Sequence, residues 1–263
     1  MSDDEFYNDG FYKDQAEASY KSAKLVLDVV FKEIFEPSSV LDIGCGTGSW
    51  LSAASELGVQ DIWGLDGSSA VVNHLMIDKK NWRQEDLSQP ILLNRQFDLA
   101  MSLEVAEHIN VRSHSHFVQN LTAHSEIILF SAALPYQGGT GHQSENWPQY
   151  WQALFEEEGY DCYDIIRDKI WNTRGIQFWY KQNIFVFAKK SNRSIFNQRN
   201  LFHTTNLMSM VHPEMYLWAM ARNNIEQHNI YQRDIKYYLD VKDGQKCAIK
   251  EPVEYGTEFE NKF

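Results

Sequence analysis

The sequence predicts an α/β fold, doubly wound about a mostly parallel seven-stranded sheet with a helical C-terminal extension. Three observations predict it. An apolar run ends in the glycine-rich turn Val40-Leu41-Asp42-Ile43-Gly44-Cys45-Gly46-Thr47-Gly48, and a helix-like segment from Trp50 to Leu57 follows. A second strand-like run, Asp61 to Asp66, closes on an acidic residue twenty positions beyond Gly46. A third, from Phe97, emerges into the carboxylate-rich stretch Leu103-Glu104-Val105-Ala106-Glu107-His108. Strand, turn and helix in that order place a ligand at the carboxyl end of a parallel sheet.

The turn itself carries chemistry. Without a Cβ, Gly44 and Gly46 allow a tight turn and close approach of a ligand. Backbone N–H groups and the following helix start make a polar cradle. The spacing is G-x-G-x-G, and Ser49 stands where the dinucleotide fingerprint G-x-G-x-x-G has its third glycine. Asp42, two residues before the first glycine, suits a ligand carrying an ammonium group and would repel a pyrophosphate. Asp66 is placed to accept hydrogen bonds from both hydroxyls of a ribose, a device that nicotinamide-dinucleotide folds also use.

Composition sets the outer bounds. The chain has 263 residues, 43% hydrophobic and 14% aromatic, enough for one large domain or one domain with an extension. A net charge of −12 and a pI near 5.2 disfavour a nucleic-acid surface, which needs clustered Lys and Arg. Cys45, Cys162 and Cys247 are scattered and odd in number, which fits a reduced, cytoplasmic compartment and no thiolate metal site. The acidic N-terminus is no secretory signal, and no apolar run approaches the ~20 residues that span a bilayer.

Along the chain, Ala16 to Phe35 reads as a helix ended by Pro37, either a packing element or a lid carrying Tyr12, Gln15, Tyr20 and Ser22. Ser68 to Met76 reads as a short helix capped by Ser68 or Ser69. Asn81 to Leu87 holds the third strand, with Glu85 and Asp86 competing to point inward. Val111 to His124 reads as a helix whose His114, His116 and His124 do not share one face, so solvated histidines are expected there rather than a metal. Glu126 to Leu134 is the fifth strand. The loop after it, Gln137-Gly138-Gly139-Thr140-Gly141-His142-Gln143-Ser144-Glu145-Asn146, is flexible and polar and should overhang the site. The imidazole of His142 suits removal of a hydroxyl proton near neutral pH. Trp147 to Gly159 is a helix, and Tyr160 to Ile166 and Asn183 to Ala188 are the sixth and seventh strands. Trp171, Trp179 and Tyr180 between them serve packing or stack on a ligand. The polar stretch 189–194 marks a boundary, giving a domain of residues 1–190 and an extension of residues 191–263. Pro213 to Leu239 within that extension reads as a helix that packs back, completes the pocket or forms a homodimer face.

VLDIGCGTG resembles motif I of the class I S-adenosylmethionine-dependent methyltransferases. SLEVAEH resembles their motif IV in the form common among small-molecule enzymes, and the [DNS]-P-P-[YFW] motif of amino-methylating DNA enzymes is missing. The resemblance covers roughly residues 16–190. It implies S-adenosylmethionine as co-substrate and no metal. It assigns Asp42, Gly44, Cys45, Gly46, Asp66 and Gly67 to the cofactor, Asp86 and Leu87 to its adenine, and Leu103 and Glu104 to its methionine end. His108 becomes a second candidate base, or a cap for the next helix. The GGTGH…NWPQYW stretch resembles a bacterial subgroup found with surface-glycan enzymes, which implies a sugar or sugar-derived acceptor. The expected activity is therefore methyl transfer to a small molecule, with no nucleic-acid or membrane partner. A nucleotide-dependent oxidoreductase and a non-catalytic S-adenosylmethionine-binding protein are the alternatives.

Overall fold

A computed structural model describes residues 9–221, with side chains from residue 16 to residue 220. Seven strands form one sheet: β1 (Ser39–Ile43), β2 (Asp61–Asp66), β3 (Trp82–Gln84), β4 (Leu99–Leu103), β5 (Ile127–Ser131), β6 (Tyr160–Tyr163) and β7 (Phe185–Lys189). Their order is β3-β2-β1-β4-β5-β7-β6. The first five run parallel, whereas β7 lies antiparallel to both β5 and β6. The sheet is thus mixed, parallel on one side and antiparallel at one edge. The order reverses between β1 and β4, and at such a switch point the connections diverge and leave a crevice at the strands' carboxyl ends.

Eight α-helices accompany the sheet among the described residues. They are α1 (Asp9–Glu33), α2 (Ser49–Glu56), α3 (His114–Thr122), α4 (Pro148–Glu157), α5 (Arg167–Ile170), α6 (Phe178–Asn183), α7 (Arg193–Gln198) and α8 (Pro213–Ala221). Strand alternation divides the core. Val40 of β1 faces one layer with α1 and α2, where Val26, Leu27, Trp50 and Leu51 pack. Leu41 and Ile43 face the other, with Phe117 and Leu121 of α3 and Trp151 and Phe155 of α4. Pro148 opens α4 at its first turn, where a missing N–H costs nothing.

Several elements depart from sequence expectation. Ser69–His74 is a 3₁₀ helix, not an α-helix, although Ser68 caps it by accepting from the Ala70 N–H. The third strand stops at Gln84, so Glu85, Asp86 and Leu87 lie beyond it. The seventh strand starts only at Phe185, because Phe178–Asn183 coils into α6. The long C-terminal helix is seen from Pro213 to Ala221, and the rest of the expected span to Leu239 lies outside the described residues. Beyond residue 190, where the sequence places a boundary, the chain continues in the same compact unit, as an extension packing back would. Leu201 and Leu207 are buried in it, and the Thr204 N–H donates to the Cys162 carbonyl at 2.7 Å. Among the described residues no helix is long and apolar enough to cross a membrane.

Candidate active site

The turn after β1 is held by backbone hydrogen bonds: the N–H groups of Gly44 and Cys45 both donate to the Leu65 carbonyl of β2, at 2.8 and 3.0 Å. Gly44 sits at φ +88°, and a Cβ there would stand 2.4 Å from Val105 Cγ1. This glycine lets the turn after β4 close over the turn after β1. Asp66, at the end of β2, accepts from the Gly46 N–H at 2.7 Å and from the Ser68 N–H at 2.9 Å. The carboxylate thereby locks the two turns together while still facing a cavity.

Two cavities meet at this point, both lined by Gly44, Val71 and Glu104. The smaller, about 160 Å³, adds Cys45, Gly46, Trp50, Leu103 and Tyr180, together with Ala16 and Ser19 of α1. The larger, about 810 Å³, runs from Asp66, Gly67, Asp86 and Leu87 at one end to His108, Thr140 and Gly141 at the other. Glu85 and Asp86 both line it, so the sequence's choice between them resolves to both. Ten of the twelve residues singled out by sequence therefore line this cleft, with Asp42 and His142 standing outside its walls.

Asp42 is 2% exposed, inside β1. Burial, with the Asp66 charge nearby, pushes its carboxyl up to about 8. It lines neither cavity, and near neutral pH its carboxyl is mostly protonated, so it offers a ligand neither a contact nor a full negative charge. Burial also raises the Cys45 thiol well above its usual range, so it is a packed neutral group rather than a nucleophile.

Beyond β4 the chain does something the sequence does not announce. Glu104 has φ +57°, a left-handed conformation that costs a non-glycine residue about 1–3 kcal/mol and collects at functional sites. Its N–H donates to the Ser131 carbonyl at 3.0 Å. Its carboxylate accepts from Gln137 Nε2 at 2.7 Å and from Asn183 Nδ2 at 3.0 Å. Burial raises the Glu104 carboxyl, opposed by these donors.

Glu107 and His108 follow on a 3₁₀ turn, Ala106–His108. Burial pushes the Glu107 carboxyl far up, helped by the Glu104 charge. Burial lowers His108, and His142 adds to it, leaving a neutral imidazole near pH 7. His142 meets His108 edge to face with ring centroids 4.8 Å apart. The loop after β5 thus brings its histidine to the motif's own histidine, but His108 faces the cavity and His142 stands behind it. His142 Nδ1 bonds Glu145 Oε1 at 2.8 Å, and the loop is tied down by Gln143 and Ser144 N–H groups donating to the Glu107 carbonyl. It is a braced loop, more ordered than its glycines suggest.

Two further histidines, His114 and His124, are structural. His114 is fully buried between Tyr150 Oη and the Ile109 carbonyl, and His124 between the Asn120 carbonyl and the Leu93 N–H. The expectation that these two are solvated fails, because both fill core gaps with their hydrogen bonds satisfied. Sequence reasoning also missed Ala16, Ser19 and Trp50 as lining residues. Of the lid candidates, Tyr12 and Gln15 have side chains outside the described residues, Tyr20 turns to Glu56, and Ser22 bonds Gln177 and Gly175.

The methyltransferase domain family matches residues 14–171, more than half of the chain. The chain belongs to this family. No curated protein matches it by sequence. Similar solved structures include the sugar N-methyltransferase KedS8 of Streptoalloteichus, with TM-score 0.54 and 16% identity over 69% of this chain and 92% of that one. DesVI of Streptomyces venezuelae gives TM-score 0.52 and 17% identity over 72% and 99%. CalS10 of Micromonospora echinaspora, an amino pentose methyltransferase solved with S-adenosylmethionine bound, gives 0.52 and 14% over 70% and 98%. At these identities they share the fold.

The methyltransferase uses S-adenosylmethionine as methyl donor, which removes the oxidoreductase alternative. The cleft fits that molecule. Gly44 lines both cavities without a side chain, Asp66 offers a carboxylate at the wall, and no Lys or Arg lines either cavity. A cationic sulfonium and ammonium suit such walls, and a pyrophosphate does not.

Proposed function

We propose that this enzyme methylates a hydroxyl of a small, uncharged polyol, such as a sugar or sugar-derived metabolite of surface-glycan biosynthesis, in the cytoplasm and without nucleic-acid partners. The observation that carries this reading is the imidazole pair His108–His142 at the far end of a cleft walled by Asp66, Glu85, Asp86 and Glu104. A neutral alcohol is a poor nucleophile and must lose its proton, and this end of the cleft holds the groups that deal with it. The acidic wall disfavours phosphorylated and polyanionic acceptors by charge. KedS8, a sugar N-methyltransferase, and CalS10, an amino pentose methyltransferase, share this fold and support a sugar acceptor.

Bound S-adenosylmethionine supplies an electrophilic methyl group. Asp66 and Gly67 hold its ribose, Asp86 and Leu87 its adenine, and Gly44, Cys45, Gly46, Leu103 and Glu104 its methionine end. Tyr180 and Trp50, edge to face at 5.0 Å, form an apolar wall of the smaller cavity. His108, at the cavity wall, acts on the acceptor, and His142 behind it acts through His108.

The test is release of S-adenosylhomocysteine across a panel of neutral sugars, amino sugars and sugar phosphates, with the methylated atom located by mass spectrometry. Turnover on neutral hydroxyl acceptors is expected. Turnover confined to amines or to phosphorylated sugars would overturn the reading.

A further inference from the structure

We infer that Glu107, His108 and His142 bind one divalent cation, which holds and acidifies the acceptor hydroxyl. The inference deepens the proposed function and rests on its oxygen acceptor. The donor chemistry itself needs no metal.

One carboxylate and two imidazoles make a donor set suited to borderline first-row ions such as Zn²⁺, Co²⁺, Fe²⁺ or Mn²⁺. One ligand atom from each residue lies within 4.8 Å of the other two, and among the described residues this is the cluster that has this geometry. Ligands about 2.1 Å from an ion stand roughly 3–3.5 Å apart, so the trio closes by about an ångström on binding.

Three independent features point to an ion. Glu107 is 1% exposed, yet its Oε2 has no hydrogen-bond partner. A buried carboxyl oxygen left unpartnered is costly, and a cation would satisfy it. Next, Glu145 Oε1 holds His142 Nδ1 at 2.8 Å, which turns Nε2 toward Glu107 Oε1, 3.9 Å away. A carboxylate behind an imidazole, with the free nitrogen facing a second carboxylate, is how metal-binding histidines are fixed and made more basic. Glu145 is braced in turn by the N–H groups of Tyr136 and Gly138. Lastly, His108 lines the larger cavity beside Thr140 and Gly141, so an ion here keeps positions open toward the acceptor. Glu104 stays out of the set, because Gln137 and Asn183 occupy its carboxylate.

In this arrangement the imidazoles serve as ligands. The acceptor oxygen binds the cation, its O–H bond breaks and the proton passes to solvent. An oxygen lone pair then forms the bond to the donor methyl carbon as the carbon–sulfur bond breaks, its electron pair remaining on sulfur.

The full chain, stripped with chelator and titrated with Co²⁺, should bind one ion per chain and develop visible absorption from nitrogen and oxygen ligands. Glu107→Gln and His142→Ala should each weaken Co²⁺ binding by about 10–100-fold while retaining S-adenosylhomocysteine affinity. That affinity, measured on the same samples, reports folding. If Glu107→Gln loses it, the loop variant His142→Ala decides. No stoichiometric Co²⁺, or equal Co²⁺ binding by the variants, would overturn the cation site and leave the proposed function intact. Co²⁺ bound as described by a protein active on amines alone would instead sink the hydroxyl reading.

Discussion

The two ends of the cleft are built from different materials. At the donor end, backbone atoms do most of the holding. Gly44 and Cys45 bond Leu65, Gly46 bonds Asp66, and one carboxylate locks two turns. At the acceptor end, side chains do it: Glu107 and His108 with His142, drawn from a distant segment, and His142 with Glu145. A backbone-built end needs a local sequence pattern, because glycine and a strand-end acid must fall at set spacings. A side-chain-built end needs only that the fold bring the right residues together. The donor end should therefore tolerate little change in its backbone, and the acceptor end should lose chemistry without losing the donor.

The largest expected effect lies at the acceptor end. His142→Ala and His108→Ala should each lower turnover by about 10²–10⁴-fold, the range for losing a group that manages the acceptor proton. Initial rates at saturating S-adenosylmethionine measure this. Turnover unchanged in both variants would mean the acceptor arrives ready to attack, and the contrast between the two ends would vanish.

A smaller effect is expected from Gly44→Ala at the donor end. The left-handed backbone costs an alanine about 1–2 kcal/mol, and the new methyl meets Val105 at 2.4 Å. S-adenosylmethionine affinity should fall at least about tenfold, with a lower unfolding temperature. Calorimetry and thermal melting check both. An alanine accepted without loss would show that the turn is not a close cradle.

A third effect, read as a slope rather than as a total, concerns pH. Asp42 rises to about 8 in the folded chain through burial and the Asp66 charge. The unfolded chain releases this proton near the usual carboxyl range, so between roughly pH 4 and pH 8 the folded state holds more protons, and stability falls as pH rises. Above pH 8 the decline from this residue stops. Asp42→Asn should flatten the pH dependence of unfolding free energy across that window, by at most about 1.4 kcal/mol per pH unit. Denaturant titrations at several pH values measure the slope. Equal slopes in the two proteins would place Asp42 in a more polar setting than its burial implies.

What the sequence made legible follows from the same contrast. The glycine turn, Asp66, and the emergence of Leu103 and Glu104 were readable because each is a local pattern on a strand of regular length. His142 was singled out by its place after the fifth strand, but its closeness to Glu107 and His108 was not, since contact between segments about 35 residues apart leaves no periodic trace. Ala16, Ser19 and Trp50 were missed because small or aromatic residues on a helix look like packing until the helix is docked. The positive φ of Glu104 had no signal, as glutamate is not a residue that favours it. The antiparallel edge was hidden by α6, whose aromatic run Phe178-Trp179-Tyr180 reads equally as strand or helix.

The central claim is that one end of the cleft holds the donor and the other serves the acceptor. Titrating S-adenosylmethionine calorimetrically into the wild type, Asp66→Asn and His142→Ala tests it most directly, and needs no acceptor. Loss of a hydrogen bond to a charged group costs about 1.5–3 kcal/mol. Asp66→Asn should therefore bind about 10–100-fold more weakly than the wild type, and His142→Ala should bind as the wild type does. Equal binding by Asp66→Asn, or a comparable loss in His142→Ala, would contradict the division of the cleft.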